Sequence, residues 1–360
     1  MDKTVKKILS KIEKNGFEAY IVGGYVRDLF LKKTTYDIDI CTNALPKDLK
    51  KIFPNSSVTQ YGNVFFKVKK YDIEITTYRK EFDYCNRRPK KIEYINNLID
   101  DLNRRDFTIN ALCMNQKGIM IDLIDGYNDL QNKVIRVIGD PLVKLREDPL
   151  RILRAIRFAT VLNFSLEDSL VDAIHKTNKE ILMLSKTRVK EELDKILISE
   201  NAINGLKLLN EFKILNLLGI SYKKIVKVYD LIGMWSQLEL KGDFPFTKGD
   251  RNNIIKIKRI IEKGIIDKTI LFNNGLYLSN VAGSILGVDN ITINKLYKSM
   301  PIYSLNDLAV SALDIKKFLK IEDGPKIGEI IEALAVKVLN DDLKNNKKCI
   351  YNYLSYLKED

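Results

Sequence analysis

Ala19 to Thr42 run AYIVGGYVRDLFLKKTTYDIDICT. The apolar run Tyr20 to Val22 predicts a short buried strand. Gly23-Gly24 follows as a turn, and Val26, Leu29 and Phe30 give the spacing of one or two helical turns. The chain then returns through Asp37-Ile38-Asp39-Ile40. Strand side chains alternate faces, so Asp37 and Asp39 share one face while Ile38 and Ile40 enter the core. Two carboxylates about 7 Å apart repel each other unless a cation sits between them, and Mg²⁺ is the hard ion suited to carboxylate and phosphate oxygens. An ordinary solvated strand face accounts for Asp-x-Asp taken alone; the Gly-Gly turn supplies the other half of a site. Paired glycines ahead of a helix expose backbone N–H groups to an anion, and Arg27, one turn in, reaches the same anion bidentately. A phosphate cradle of Gly23, Gly24 and Arg27 beside a carboxylate pair makes a nucleotide site. It is not a Walker A loop, which needs Gly-Lys-Ser/Thr, nor a Rossmann fingerprint, which needs a third glycine.

Outward from this unit, a short helix is expected from Asp48 to Phe53, closed by Pro54. Val64 to Val68 and Asp72 to Tyr78 alternate as the strands of a hairpin turning at Lys69-Lys70-Tyr71. On its second strand Asp72, Glu74 and Thr76 share a face. Glu74 is thus either a third carboxylate facing Asp37 and Asp39 or part of a solvated face. Arg79 to Pro89, RKEFDYCNRRP, is charged and aperiodic and predicts a mobile loop beside the site. Asp106 to Ala111 predicts a helix entering a strand at Leu112 to Asn115, with Ile119 to Ile124 as the next strand and Asp125-Gly126 closing the domain. Arg104, Arg105 and Asp106 admit two readings: a surface ion pair or, within a nucleotide site, Arg105 on phosphate or ribose and Asp106 on a ribose hydroxyl.

Leu145 to Phe158, LREDPLRILRAIRF, starts a helix at Pro149, with Leu150, Leu153 and Ile156 as its buried stripe. Asp148, Arg151 and Arg154 lie three apart on one side, and Arg157 drifts further round. A generic basic helix explains three arginines. The Asp148/Arg151 pair adds a selective element: a carboxylate accepts from the amino group of cytosine or adenine while a guanidinium donates to a ring nitrogen or carbonyl. Uracil and guanine put a carbonyl in the same place, at a cost of several kcal/mol. One pair can therefore admit C and A and refuse U and G.

The 360 residues carry 60 Lys and Arg against 47 Asp and Glu, a net charge of +13 that favours a polyanionic partner. The single histidine, His175, leaves no Ser-His-Asp triad or histidine-rich zinc site. Cys41, Cys85, Cys113 and Cys349 have no C-x-x-C spacing and read as reduced thiols of a cytoplasmic protein. No run of 18 apolar residues occurs, so no membrane span is expected. From Ser185 the chain reads as helical, with Thr187 as an N-cap, and the Lys241 to Asp250 segment marks a boundary.

GGYVRD followed by DID resembles the signature of the nucleotidyltransferase superfamily typified by DNA polymerase β. With RRDFTINAL at 104–112 and EDxxR at Glu147, Asp148 and Arg151, the chain is similar to bacterial class II tRNA nucleotidyltransferases and their poly(A) polymerase relatives. Arg188, Glu192 and Leu193 resemble that family's last neck motif, whose role is architectural, and Asp323 to Ile331 its tail segment. The resemblance implies an α/β N-terminal nucleotidyltransferase (polymerase β-like) head with a mixed sheet over 1–138, followed by an all-α neck (139–200), body (201–300) and tail (301–360), the tail binding tRNA. It implies two Mg²⁺ ions on the catalytic pair Asp37 and Asp39, with Glu74 beside them. Gly23, Gly24 and Arg27 then hold triphosphate, Arg105 and Asp106 the sugar, and Asp148 and Arg151 the base, with Arg154 and Arg157 binding the nucleotide or bracing that pair. The implied activity is template-independent CCA addition, from CTP and ATP, to the 3′ end of tRNA. CC-only or A-only addition, which the 79–89 loop would distinguish, and poly(A) synthesis share the head motifs. An inactive RNA-binding protein needs only the charge, and the intact Asp37/Asp39 pair argues against it. A homodimer is left open.

Overall fold

A computed structural model describes residues 2–59, 62–85, 88–321 and 324–356. They form two compact units, residues 1–220 with 241–245, and residues 221–240 with 246–360.

The first unit opens with α1 (Lys3–Glu13), which buries Val5, Ile8, Leu9 and Ile12 on one face and is capped by Asp2 accepting from the Thr4 amide. β1 (Ala19–Val22), α2 (Gly24–Phe30) and β2 (Asp37–Thr42) follow as their periodicity predicts. α3 (Pro46–Ile52) begins two residues earlier than expected, because the fixed φ of Pro46 suits the first helical turn. β3 (Ser57–Val58), β4 (Val64–Val68) and β5 (Tyr71–Thr77) come next.

Residues 79–89 are the first correction. They belong to an antiparallel hairpin, β6 (Arg79–Cys85) with β7 (Arg88–Tyr94), paired from Arg79↔Tyr94 to Cys85↔Arg88. A two-stranded ribbon can keep charges on both faces, so Phe82, Ile92 and Tyr94 suffice to make strands that charge conceals in the sequence. Asn86 and Arg87 lie outside the described residues.

The second correction is at 106–111. The helix sits earlier, as α4 (Leu98–Asn103), with Asn97 accepting from the Ile99 amide. Thr108–Asn110 is only a 3₁₀ turn, because the flanking backbone pairs elsewhere: the Thr108 amide donates to Arg136 O (3.0 Å) and the Ile138 amide to Asp106 O (3.1 Å). β8 (Cys113–Met114) and β9 (Met120–Ile121) are shorter than expected, and Gly126 opens a helix, α5 (Gly126–Asn132). The main sheet has the order β3-β4-β5-β2-β1-β8-β9 and is mixed: β2 and β5 are parallel, and every other pair is antiparallel.

β10 (Val134–Ile135) leads through α6 (Pro141–Glu147) and α7 (Leu150–Leu162) to β11 (Ser165–Leu166), its parallel partner. α8 (Asp168–Thr177), α9 (Lys186–Ile198), α10 (Ala202–Glu211) and α11 (Ile214–Leu217) complete the unit. The cap of α9 is Ser185, which accepts from the Arg188 amide, and not Thr187. His175 is exposed, with its ring against Phe212.

The second unit's helices are α12 (Leu231–Ser236), α13 (Lys248–Lys263), α14 (Lys268–Leu286), α15 (Asn290–Lys298), α16 (Ala312–Leu319), α17 (Pro325–Leu339) and α18 (Lys347–Tyr356). α14 is broken at Gly275 (φ 75°, ψ 170°), and its residues join two apolar clusters, one with Ile257 and Ile260, the other with Leu334 and Ile350. Asp323, where the tail resemblance begins, lies outside the described residues. Among those described, no helix is long and apolar enough to cross a membrane.

Candidate active site

The parallel register of β2 and β5 sets Asp39 opposite Glu74 and Asp37 opposite Asp72. Ile38, Ile40, Ile73 and Ile75 fill the other face and are fully buried. Alternation therefore gathers four acids on one face. Gly23 is pressed against them. Its φ of +83° is one that glycine adopts readily, and a Cβ there would lie 3.3 Å from Asp39 Oδ2. The Gly23 amide donates to Leu112 O, which ties the turn to the strand region beside it.

Asp39 opens onto a cleft but is walled by protein, and this burial raises its carboxyl pKa; Arg105 opposes the shift and Asp37 adds to it. Burial likewise raises Glu74, Asp39 adds to the shift, and Asn63 (Nδ2 to Oε1, 2.7 Å), Arg79 and Arg105 oppose it. The cleft encloses about 690 Å³. Eleven of the twelve residues singled out in the sequence line it: Gly23, Gly24, Arg27, Asp37, Asp39, Arg105, Asp106, Asp148, Arg151, Arg154 and Arg157. Glu74 does not. It lines an adjoining cavity of about 220 Å³ that shares Asp39 and Arg105 with the cleft.

The arginines are held by specific partners. Arg154 grips Asp106 Oδ2 through Nε (2.8 Å) and Nη2 (2.5 Å). Burial works to raise the Asp106 pKa, but the charge and hydrogen bonds of Arg154, with donors from Asn110 and the Phe107 amide, hold it at about 2. Asn110 bridges onward: Nδ2 donates to Asp106 Oδ1 (3.1 Å), while Oδ1 accepts from Arg27 Nη1 (2.6 Å). Arg27 turns its Nε and Nη2 to Asp28. Arg157 donates to Glu192 of α9. The ring of Phe158 lies under three guanidinium groups, those of Arg157 (3.9 Å), Arg27 (5.2 Å) and Arg154 (5.4 Å).

Arg151 is 6% exposed. Its Nη1 donates to Lys144 O (2.8 Å) and Glu147 Oε2 (3.1 Å), and Nη2 to Arg104 O (3.3 Å). Three of five guanidinium N–H groups are thereby committed to protein. Asp148 Oδ1 accepts from the Leu150 amide at the start of α7. Fully buried Asp101 holds both Arg104 (2.8 Å) and Arg105 (3.1 Å). Burial works against the charge on Arg105, and Asp101 more than restores it, raising its pKa. Its buried Nε has no hydrogen-bond partner.

Asn110, Phe158 and the Arg157–Glu192 contact are the functional features the sequence reading missed. Asn110 lies inside RRDFTINAL, four residues after Asp106, which was a usable signal; Glu192 stood out only as part of the neck-motif resemblance, and the 35 residues between it and Arg157 hid their contact. Burial raises the Asp39 and Glu74 carboxyls, and the oxygen donors of Asp37 and Asp39 at one cleft suit a hard divalent cation, while among the described residues no three acidic, histidine or cysteine side chains are grouped tightly enough to hold one.

Comparison with known proteins agrees with this geometry. Residues 19–136 match the profile described as the poly A polymerase head domain, residues 163–219 an RNA- and SrmB-binding site of polymerase A, and residues 269–354 tRNA nucleotidyltransferase domain 2. Over 377 aligned positions the chain is 32% identical to the CCA-adding enzyme of Limosilactobacillus reuteri, covering 95% of this chain and 93% of that protein. Among solved structures, the Bacillus stearothermophilus CCA-adding enzyme in complex with CTP superposes with a TM-score of 0.81 at 24% identity, covering 100% and 98% of the two chains. The Thermotoga maritima CCA-adding enzyme complexed with tRNA-CCA gives 0.70 at 21%, covering 99% and 96%. These two show the likeness of fold. With the full-length sequence match, they establish that the chain belongs to the CCA-adding enzyme family.

Proposed function

We propose that this chain adds CCA to the 3′ end of tRNA from CTP and ATP without a nucleic-acid template. The observation that carries it is the meeting, in one cleft, of the Asp37/Asp39 pair, the Gly23-Gly24 turn and the Asp148/Arg151 helix start. The 3′-hydroxyl oxygen of the primer attacks the α-phosphorus of the bound nucleotide in line. A new P–O bond forms, the bond to pyrophosphate breaks, and the hydroxyl loses its proton. Two Mg²⁺ ions, held by Asp37 and Asp39 with Glu74 as a further carboxylate, would lower the pKa of that hydroxyl and stabilise the leaving oxygen.

The remaining work falls to the chain's own groups. The Gly24 backbone N–H and Arg27 hold the triphosphate, and Gly23, whose own amide is tied to Leu112 O, lets the turn come close to it. Arg105, in the cleft wall, reaches phosphate or ribose. Asp106, kept ionised by Arg154 and Asn110, accepts from a ribose hydroxyl. Asp148 accepts from the amino group of C or A, and Arg151 supplies its uncommitted N–H groups to the base edge. A uracil or guanine carbonyl against Asp148 leaves a charge unpaired, which refuses both bases. Arg154 and Arg157 brace this pair across the ring of Phe158. The division into head (1–138), neck (139–200), body (201–300) and tRNA-binding tail (301–360) belongs to the same proposal, as does a cytoplasmic location.

The test uses purified protein, Mg²⁺ and three tRNA transcripts ending before CCA, after C and after CC, each given labelled CTP, ATP or both. Extension of all three to a uniform CCA end is expected. Stopping at CC, or accepting only the CC-ended transcript, would make the chain half of a two-enzyme system. Long A tracts on unrelated RNA would make it a poly(A) polymerase.

A further inference from the structure

We propose that Asn110 is a positioning residue that sets the two arms of the nucleotide cleft against each other, and this rests on the function proposed above. Arg27 enters the cleft from α2, beside the glycine turn, and Arg154 enters from α7. Neither touches the other through a hydrogen bond. The connection runs Asp28–Arg27–Asn110–Asp106–Arg154, with donor and acceptor alternating at every step. Asn110 is 8% exposed, as is Arg27. Its amide orientation is forced by its neighbours, since the oxygen must face the guanidinium and the nitrogen the carboxylate.

A neutral amide is the group that meets both demands at once. A leucine of similar size would leave a buried Arg27 N–H unpaired and reduce Asp106 Oδ1 to the Phe107 amide as its donor. An aspartate would satisfy Arg27 but set a second carboxylate about 3 Å from Asp106, where like charges resist joint ionisation. Arg27 offsets only part of the conflict, because among the described residues the charged groups around this position are already engaged. From α2 it faces Arg27, already bound to Asp28; from α7, Arg154, already bound to Asp106, with Arg157 on Glu192 beyond. From α5, Asp129 packs on the same 3₁₀ turn but is paired with Arg136 and receives the Thr108 hydroxyl. A proton on the introduced aspartate would restore the wild-type pattern, the acid O–H standing in for the amide N–H.

The experiment compares wild type, Asn110→Asp and Asn110→Ser for steady-state CTP and ATP incorporation into tRNA from pH 6 to pH 9, and for CTP binding by calorimetry. Melting curves at each pH confirm that assays lie below the transition. For Asn110→Asp, kcat/KM should fall about 100-fold below wild type at pH 9, chiefly through KM for the nucleotide, and recover at least about tenfold relative to wild type at pH 6. Asn110→Ser, whose hydroxyl both donates and accepts over a shorter reach, should lose about tenfold at every pH. A merely structural asparagine would move the melting temperature of both variants and leave nucleotide KM and its pH dependence at wild-type values; that result overturns the proposal. Wild type that adds no nucleotide to tRNA would overturn the function proposed above. The calorimetric comparison at two pH values would still decide the role of Asn110.

Discussion

On the α7 side of the cleft each arginine has a protein partner of its own. Arg154 has Asp106, Arg157 has Glu192, and Arg151 has Glu147 and two main-chain carbonyls. On the sheet side Asp39 stands among like charges, with Asp37 on its own strand and Glu74 opposite, and only the Arg105 charge pulls the other way. The cationic wall is assembled before any ligand arrives, so it can receive a nucleotide with little reorganisation. The acidic wall is left in mutual repulsion, a conflict that a divalent cation bound as proposed would relieve. One wall of the site is completed by protein and the other is left to be completed by the ligand.

The sharpest way to break this contrast is to remove the acidic wall's centre. Asp39→Ala should lower nucleotide transfer by at least about 10³-fold, the several kcal/mol of transition-state charge stabilisation lost with a metal position. tRNA binding, measured by filter retention, should be unchanged; more than a tenth of the wild-type rate would end the argument for Asp39. Next in size is the arginine wall. Arg151→Leu strips Glu147 of one partner and removes a donor from the Lys144 and Arg104 carbonyls, so the unfolding free energy from urea titration should drop by about 3 kcal/mol. A loss under about 1 kcal/mol would mean that the wall is not preset by these contacts.

A third test uses acid. The folded pKa of Asp106, about 2, is below its ordinary value of 3.8. A depressed carboxyl adds stability that is complete above the unfolded pKa and disappears as pH falls through the folded one. About 2 kcal/mol should therefore be lost between roughly pH 4 and pH 2, and Asp106→Asn should flatten that slope. The smallest effect has the opposite sign. Asp39 has a raised folded pKa, so its ionised form opposes folding once pH exceeds the unfolded value. Asp39→Asn should lift the melting temperature in chelator at pH 7 by about 1–3 °C, allowing for the solvent that reaches this carboxylate. Mg²⁺ should then raise the melting temperature of wild type more than that of the variant.

Much of this contrast was legible in the chain. DIDI and DIEI alternate so cleanly that the acidic face and its apolar backing follow from period two alone. The glycine turn and the EDxxR helix start are equally local. What stayed hidden depends on partners far apart or on backbone. The parallel pairing of β2 with β5 skips residues 43–70, and the carbonyls that bind Arg151 belong to residues whose side chains say nothing about it. The β6–β7 hairpin was obscured by its charges. Yet those same charges fix it to the site, since Glu81 accepts from both Arg79 and Arg104.

The crossover between β2 and β5 also bears on the time course of folding. The β1–β2 pair is local and forms early, whereas Asp39 and Glu74 meet only after residues 43–70 have closed, which loop entropy delays. Their repulsion is thus felt at the end of the pathway, after most native surface is buried. Contacts made that late leave the folding rate nearly untouched and are expressed in the rate of unfolding. A divalent ion bound there as proposed would act as a kinetic latch, lengthening the lifetime of the native state more than it hastens its arrival.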